Sequence, residues 1–205
     1  GVLAAVIGPQ TVIWTKDLTP PFLFAGSYLA LGLLSLVSVL TLSFLGTPPK
    51  TEAKSSEPPR STREIISDGR FLIAVALGVA SFSMMNFVMT AGPIAMVACG
   101  LTQSDAALAI QWHVLAMFVP SFFTGNLIAR FGVRQVIAAG FVLFLAAGAV
   151  ALAGTSLLHF DVALILLGVA WNFSYVGATS MVAALCQPQD RTKVQGLNEF
   201  AVFGT

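Results

Sequence analysis

Long apolar runs separated by short polar stretches repeat along the whole chain. Residues 1–14 are apolar but too few to cross a bilayer alone, since a helical span needs ~20 residues. They read as the second half of a helix that begins upstream. A polar connection follows at 16–21, where Pro20 and Pro21 suit a turn and the first turn of a helix. Run 22–45 is a full span whose polar side chains, such as Ser27, Tyr28, Ser35, Ser38 and Thr41, are all uncharged. Residues 46–68 differ in kind. They hold four prolines, mixed charges and no large apolar side chain before Ile65. Such a segment cannot bury enough area to offset its ordering entropy, so it reads as a flexible linker, with a short surface helix at 61–68.

Four more spans follow, at 70–97, 106–128, 136–154 and 162–185, and another run starts at 194. Run 70–97 has a polar cluster near its middle, around Asn86, Met89 and Thr90, and Gly92-Pro93 is expected to kink it. Run 106–128 is interrupted by Gln111-Trp112-His113 and by Pro120. Run 136–154 carries no polar side chain, whereas 162–185 holds Trp171, Asn172, Ser174, Tyr175, Thr179 and Ser180. Ser104 or Asp105, and later Asp161, are the expected helix N-caps, because their side chains accept free backbone N–H groups. Residues 121–134 read as a short polar hairpin ending in a tight basic turn of Arg130, Gly132 and Arg134. Gly132 suits that turn because glycine takes positive φ without a Cβ clash.

Composition turns these runs into membrane spans. The chain of 205 residues is 57% hydrophobic and 9% charged, with a mean hydropathy of +0.88. A soluble domain carries about 25% charged residues. The expectation is an all-α transmembrane protein. Net charge is +1, which gives no reason to expect a nucleic-acid partner. Its distribution is more telling: nine of the ten basic residues fall on alternate connections, and only Lys16 lies on the others. By the positive-inside rule the linker, the Arg130 turn and the Arg191 turn face the cytoplasm of a multi-pass inner-membrane protein. Cys99 and Cys186 then lie on opposite sides, so no disulfide is expected. The first residue is Gly1 rather than Met, and both ends lie inside apolar runs, so the chain reads as an internal fragment of a longer protein.

The candidate chemistry is that of a polar lining. Phe82, Asn86, Met89, Thr90 and Pro93 share one helical face, as do Asn172, Tyr175, Val176 and Thr179, with Trp171 beside them. Amides offer directional hydrogen bonds without fixed charge, and aromatic rings offer flat stacking surfaces. This lining suits a neutral or weakly charged solute, and the same amides equally suit bonding between helices. His113 is either a proton carrier or a hydrogen-bonded packing residue. Glu199, the one carboxylate inside an expected span, lies close enough to the surface to be hydrated. No nucleophile–base pair and no metal-ligand spacing is found, so neither an enzyme nor a cofactor is expected. A solute transporter is the leading reading, and a channel or structural membrane protein without catalysis is the alternative.

Several features resemble the major facilitator superfamily. Gly125, Leu127, Arg130, Gly132 and Arg134 match the loop motif G-x-L-x-x-R-x-G-x-R, whose weaker copy joins helices 8 and 9 of that family. Ala129 stands where the motif usually has an acid, which removes a carboxylate-based gate from this turn. Gly8-Pro9 is expected to kink its helix and is similar to the core of the helix 5 antiporter motif, though Gln10 and Thr11 replace its further glycines. The resemblance implies a fragment covering roughly helices 5 to 11. Residues 1–45 would end the N-terminal bundle, 46–68 would be the cytoplasmic linker, and 69–205 would form the C-terminal bundle. It further implies that helices 7 and 10 line the central cavity and that helices 6 and 9 face lipid. The expected activity is secondary active transport of a small organic solute by alternating access, coupled to protons, in a protein that is monomeric when complete. Residues 85–93 and 111–125 are similar to a bacterial permease subgroup associated with riboflavin uptake and with export, so a riboflavin-like or drug-like solute is expected.

Overall fold

The structure, a computed structural model, describes residues 2–46 and 60–204. The expected flexible stretch of the linker, 47–59, lies outside the described residues. The chain forms two compact units. The first holds α1 (Val2–Thr15) and α2 (Ala25–Ser43). The second holds α3 (Thr62–Ser67), α4 (Gly69–Ala98), α5 (Gln103–Phe118), α6 (Ser121–Phe131), α7 (Val133–Ala153), α8 (Leu157–Leu185) and α9 (Arg191–Phe203).

In the first unit α1 runs unbroken through Pro9. Proline has no N–H to bond back to Ala5 O, so α1 gives up one hydrogen bond in mid-helix. Thr15 donates from Oγ1 to Ser27 Oγ at 3.0 Å, which ties α1 to α2. Almost all of α2 is exposed, and its apolar side chains suit hydrocarbon.

Within the second unit, α8 is the central post. It touches α4, α5, α6, α7 and α9. The contact is close because glycines remove side chains where backbones meet. A Cβ on Gly140 of α7 would lie 2.7 Å from Ser174 N and 2.9 Å from Ala170 O of α8. Two apolar clusters grip the two ends of the post. Leu164, Leu167 and Ala170 join Met96 of α4, Ala106 and Ala109 of α5, and Phe144 and Ala147 of α7. Val182 joins Ile65 of α3, Phe71, Ala74 and Val75 of α4, and Val194 of α9. The polar part of α8 lies between them.

Helices α2, α4, α7 and α8 are each long and apolar enough to cross a membrane. Helices α5 and α6 meet the same test as one span bent by 41°. The bend sits at Pro120, which has no N–H and cannot bond back to Ala116.

Local details differ from the sequence reading at four places. Residues 121–134 are not a hairpin: Ser121–Phe131 is helical, and the turn is Gly132 alone, at φ 88° and ψ 150°. Its polar side chains lie on a helix surface, where the backbone bonds itself. Run 106–128 is not interrupted at Gln111-Trp112-His113, because α5 continues to Phe118. The cap of α5 is Thr102, not Ser104 or Asp105. Thr102 Oγ1 accepts from Asp105 N at 3.1 Å, and the Asp105 carboxylate accepts from Thr102 N at 2.9 Å. This reciprocal box satisfies two free donors at once, which a cap at 104 could not do. Asp161 caps nothing, since α8 begins at Leu157 and its N-cap position is Ser156.

Candidate functional site

The centre of α8 carries the candidate solute residues, and its periodicity sorts them. Trp171 and Tyr175, one turn apart, are half-buried and stacked, with ring centroids 4.7 Å apart and planes 13° from parallel. The Trp171 indole Nε1–H is buried and has no hydrogen-bond partner. A buried donor without a partner costs about 1–3 kcal/mol, so this N–H is a donor left unsatisfied within the described residues. Thr179 lies half-buried one turn further, and its hydroxyl donates to Tyr175 O at 3.0 Å. Its oxygen lone pairs can still accept.

Asn172 lies between the two rings in sequence but on another side of the helix, fully buried. Its Nδ2 donates to Met117 O and to Ser121 Oγ, each at 2.6 Å. Its Oδ1 accepts from Thr124 Oγ1 at 2.5 Å. Of the two roles the sequence leaves open for this amide, bonding to neighbouring helices is the one its geometry displays.

On α4, Asn86 and Thr90 are exposed and Met89 is half-buried. Phe82, on the same face, packs edge-on against Phe203 of α9, at 5.1 Å between centroids. His113 of α5 is fully buried. Its Nδ1 lies 2.8 Å from Leu164 O, and a carbonyl can only accept, so Nδ1 carries the hydrogen. This leaves Nε2 as a lone pair, buried and without a partner. Any proton added to this ring would enter at Nε2 and would place a charge at a fully buried position. Glu199 stands exposed on α9.

The loop-motif residues lie at the α6–α7 junction. Gly125, Arg130 and Arg134 are exposed, and Leu127 is half-buried. The Arg130 guanidinium sits 5.3 Å from the centre of the Phe131 ring. In the first unit, Gly8 helps line a cleft of about 310 Å³ with Thr11, Phe24, Ser27, Tyr28 and Leu31, and Pro9 is half-buried in α1.

One cluster was not foreseen from the sequence. Asp190, in the turn before α9, is fully covered. Its carboxylate accepts from Arg60 N at 2.8 Å and from Arg60 Nε at 2.6 Å. Arg60 Nη2 also donates to Leu185 O, and Lys193 Nζ donates to Arg60 O. The hydrogen bond from Arg60 holds the Asp190 carboxyl below the usual carboxylate range. With Ser61 and Glu64 forming a reciprocal cap on α3, and Ile65 buried, residues 60–67 make a strap across the ends of α4, α8 and α9.

Comparison with known proteins places this helical architecture. The chain is 48% identical over 207 residues to the riboflavin transporter RfnT of Brucella anthropi, covering all of this chain and 52% of that protein. Two Bacillus subtilis proteins described as uncharacterized MFS-type transporters, YddS and YdeG, are 28% and 29% identical, over 95% and 94% of this chain. Each match covers 48% of the Bacillus protein, so the chain spans about half the length of the curated relatives it matches. No solved structure matches significantly. The family model of the Major Facilitator Superfamily aligns with residues 1–203. Apolar helices of spanning length, a polar central post and this end-to-end match together make the chain a helical, multi-pass membrane segment that belongs to the Major Facilitator Superfamily.

Proposed function

We propose that the complete protein is a secondary transporter of the inner membrane. It carries a planar, hydrogen-bonding organic solute by alternating access between two halves. Residues 1–45 end one half, 46–68 link the halves in the cytoplasm, and 69–205 form most of the other. The stacked Trp171–Tyr175 pair with its unpartnered indole N–H is the observation that carries this reading. A flat ring with a carbonyl or ring-nitrogen acceptor would stack on the pair and accept that hydrogen. Thr179, and Asn86, Met89 and Thr90 of α4, would complete the lining, with Asn172 behind it. Similarity to a protein named a riboflavin transporter supports riboflavin as the first solute to test. His113 is the proposed proton carrier, because its Nε2 is its one open position. Glu199 is a second candidate at the hydrated end of α9. Gly8-Pro9 supports an antiport cycle only as a motif, and the Arg130 turn would stay cytoplasmic throughout.

The test uses the full-length parent in proteoliposomes. Labelled riboflavin should exchange against unlabelled riboflavin, and an imposed pH gradient should drive its accumulation. Trp171→Phe keeps the ring and loses the N–H, so it should raise KM about fivefold, the size of one buried hydrogen bond. His113→Asn keeps a donor to Leu164 O but carries no proton. It should abolish gradient-driven accumulation and spare exchange. Accumulation that survives in His113→Asn would remove this histidine from coupling, and an unchanged KM in Trp171→Phe would remove the indole from the site.

A further inference from the structure

The broken helix α5–α6 leaves backbone groups free at its bend. The last four carbonyls of a helix have no partner within it, and the missing N–H of Pro120 prolongs the gap. Leu115 O is satisfied by Val119 N at 2.8 Å. Met117 O is satisfied from outside the helix, by Nδ2 of Asn172. The same NH2 group reaches Ser121 Oγ, at the start of α6, and Thr124 Oγ1, one turn on, shares its one hydrogen between Asn172 Oδ1 and Pro120 O. One amide on α8 therefore holds the end of α5 and two side chains of α6. Met117 O can only accept, so the atom facing it must be the nitrogen, which fixes the orientation of the amide.

A second observation independently places α8 against the bend. Gly168, one turn before Asn172, lies so close to α5 that a Cβ there would sit 2.8 Å from Ala116 Cβ and 3.1 Å from Met117 N. Pro120 and Thr124 are buried at the same contact. Apolar contact alone tolerates a range of angles. Three directional bonds to both sides of a break do not.

We propose that Asn172 is the positioning residue that couples the Trp171–Tyr175 surface to a hinge at Pro120, by clamping α5 and α6 at their bend. Trp171 is next to Asn172 on the same turn of α8, and Tyr175 lies on the next turn. A solute that rotates or shifts those turns moves the clamp, and so changes the angle between α5 and α6. The functional half of this inference rests on the transport reading above. The clamp itself does not.

The experiment measures the bend and the transport separately. In the full-length parent, native cysteines, including Cys99 and Cys186, are replaced by serine. Spin labels are placed at Leu108→Cys on α5 and Phe131→Cys on α6, both exposed. Pulsed dipolar spectroscopy in lipid nanodiscs should give one narrow distance distribution. Asn172→Ala should broaden or shift it. Thr124→Val, which keeps the shape and loses the hydroxyl, should do so to a lesser extent, and Thr124→Ser should restore it. Riboflavin exchange should slow about fivefold in Thr124→Val and recover in Thr124→Ser, a rescue that packing loss does not predict. If Asn172→Ala does not fold, Ser121→Ala, which removes only a bond to the amide, decides the question, because Thr124→Val also removes the bond to Pro120 O. Distributions identical in all folded variants overturn the clamp. A changed distribution with unchanged exchange overturns the coupling and keeps the clamp. If the unsubstituted parent moves no riboflavin, the transport reading fails and the distances alone decide the clamp.

Discussion

Asp190 shows how one side chain can tie distant segments together. Its carboxylate binds Arg60 through both the backbone N and Nε, and Arg60 in turn binds Leu185 O at the end of α8. Because the Arg60 hydrogen bond depresses the folded pKa of Asp190, the direction of its pH dependence is fixed. The stabilisation is fully present above the ordinary value of 3.8 and is lost as pH falls through the lower, folded value. Asp190→Asn should therefore lower the melting temperature in detergent at pH 7. The gap from the unsubstituted protein should narrow as the buffer is taken towards about pH 3. A gap that stays constant over that range would mean that the carboxylate charge contributes nothing to the strap. The strap also shelters Cys186, whose thiol is pushed up in pKa mainly by burial.

Helices in this chain are held apart or together by the presence or absence of a Cβ, and α7 contains both situations. Gly140 faces the α8 backbone at 2.7 Å from a built Cβ, whereas Gly148 has nothing within 4 Å. Gly140→Ala should push α7 from α8 and cost about 1–3 kcal/mol, as overpacking does. Gly148→Ala should be neutral or raise stability by up to ~1 kcal/mol through helix propensity. Parallel melts of the two variants give the comparison, and equal melting temperatures would show that the α7–α8 contact is looser than its geometry. The spans themselves were legible in the sequence, because ~20 apolar residues have few other stable arrangements. Their ends were less so. Thr102 and Asp105 form a cap through geometry three residues apart, and choosing Ser104 overlooks the reciprocal bond. The helix at 121–131 was hidden because its polar residues resemble a loop. The partners of Asn172 lie 48 to 55 residues away in sequence, beyond the reach of any local pattern. The sequence reading grouped Tyr175 with Asn172 and set Trp171 beside that face, whereas the four-residue spacing stacks Trp171 on Tyr175 and turns Asn172 to another side.

At the scale of the whole molecule, we propose that the basic residues set which way the bundle faces. Nine of ten lie on alternate connections, an asymmetry that sets orientation when the loops are short. The two native cysteines make this directly measurable, because each sits at the end of a long helix. Cys99 caps α4 at the end away from Arg70 and is exposed, while Cys186 caps α8 beside the Arg191 turn and is half-buried. Helix α4 begins at the basic strap and crosses to Cys99, and α8 crosses back to Cys186. A membrane-impermeant maleimide added to intact cells should therefore label Cys99 and spare Cys186. In inside-out vesicles the pattern should reverse, with Cys186 reacting slowly because its thiol is partly covered and its pKa raised. In Asp190→Asn, Cys186 should react faster from the same side, since the strap above it is loosened. Labelling of both cysteines from one side would mean that the stretch from Cys99 to Cys186, α5 to α8, contains an even number of crossings. The bent α5–α6 pair would then be a re-entrant segment rather than a span, and the placement of the Arg130 turn in the cytoplasm would fall with it.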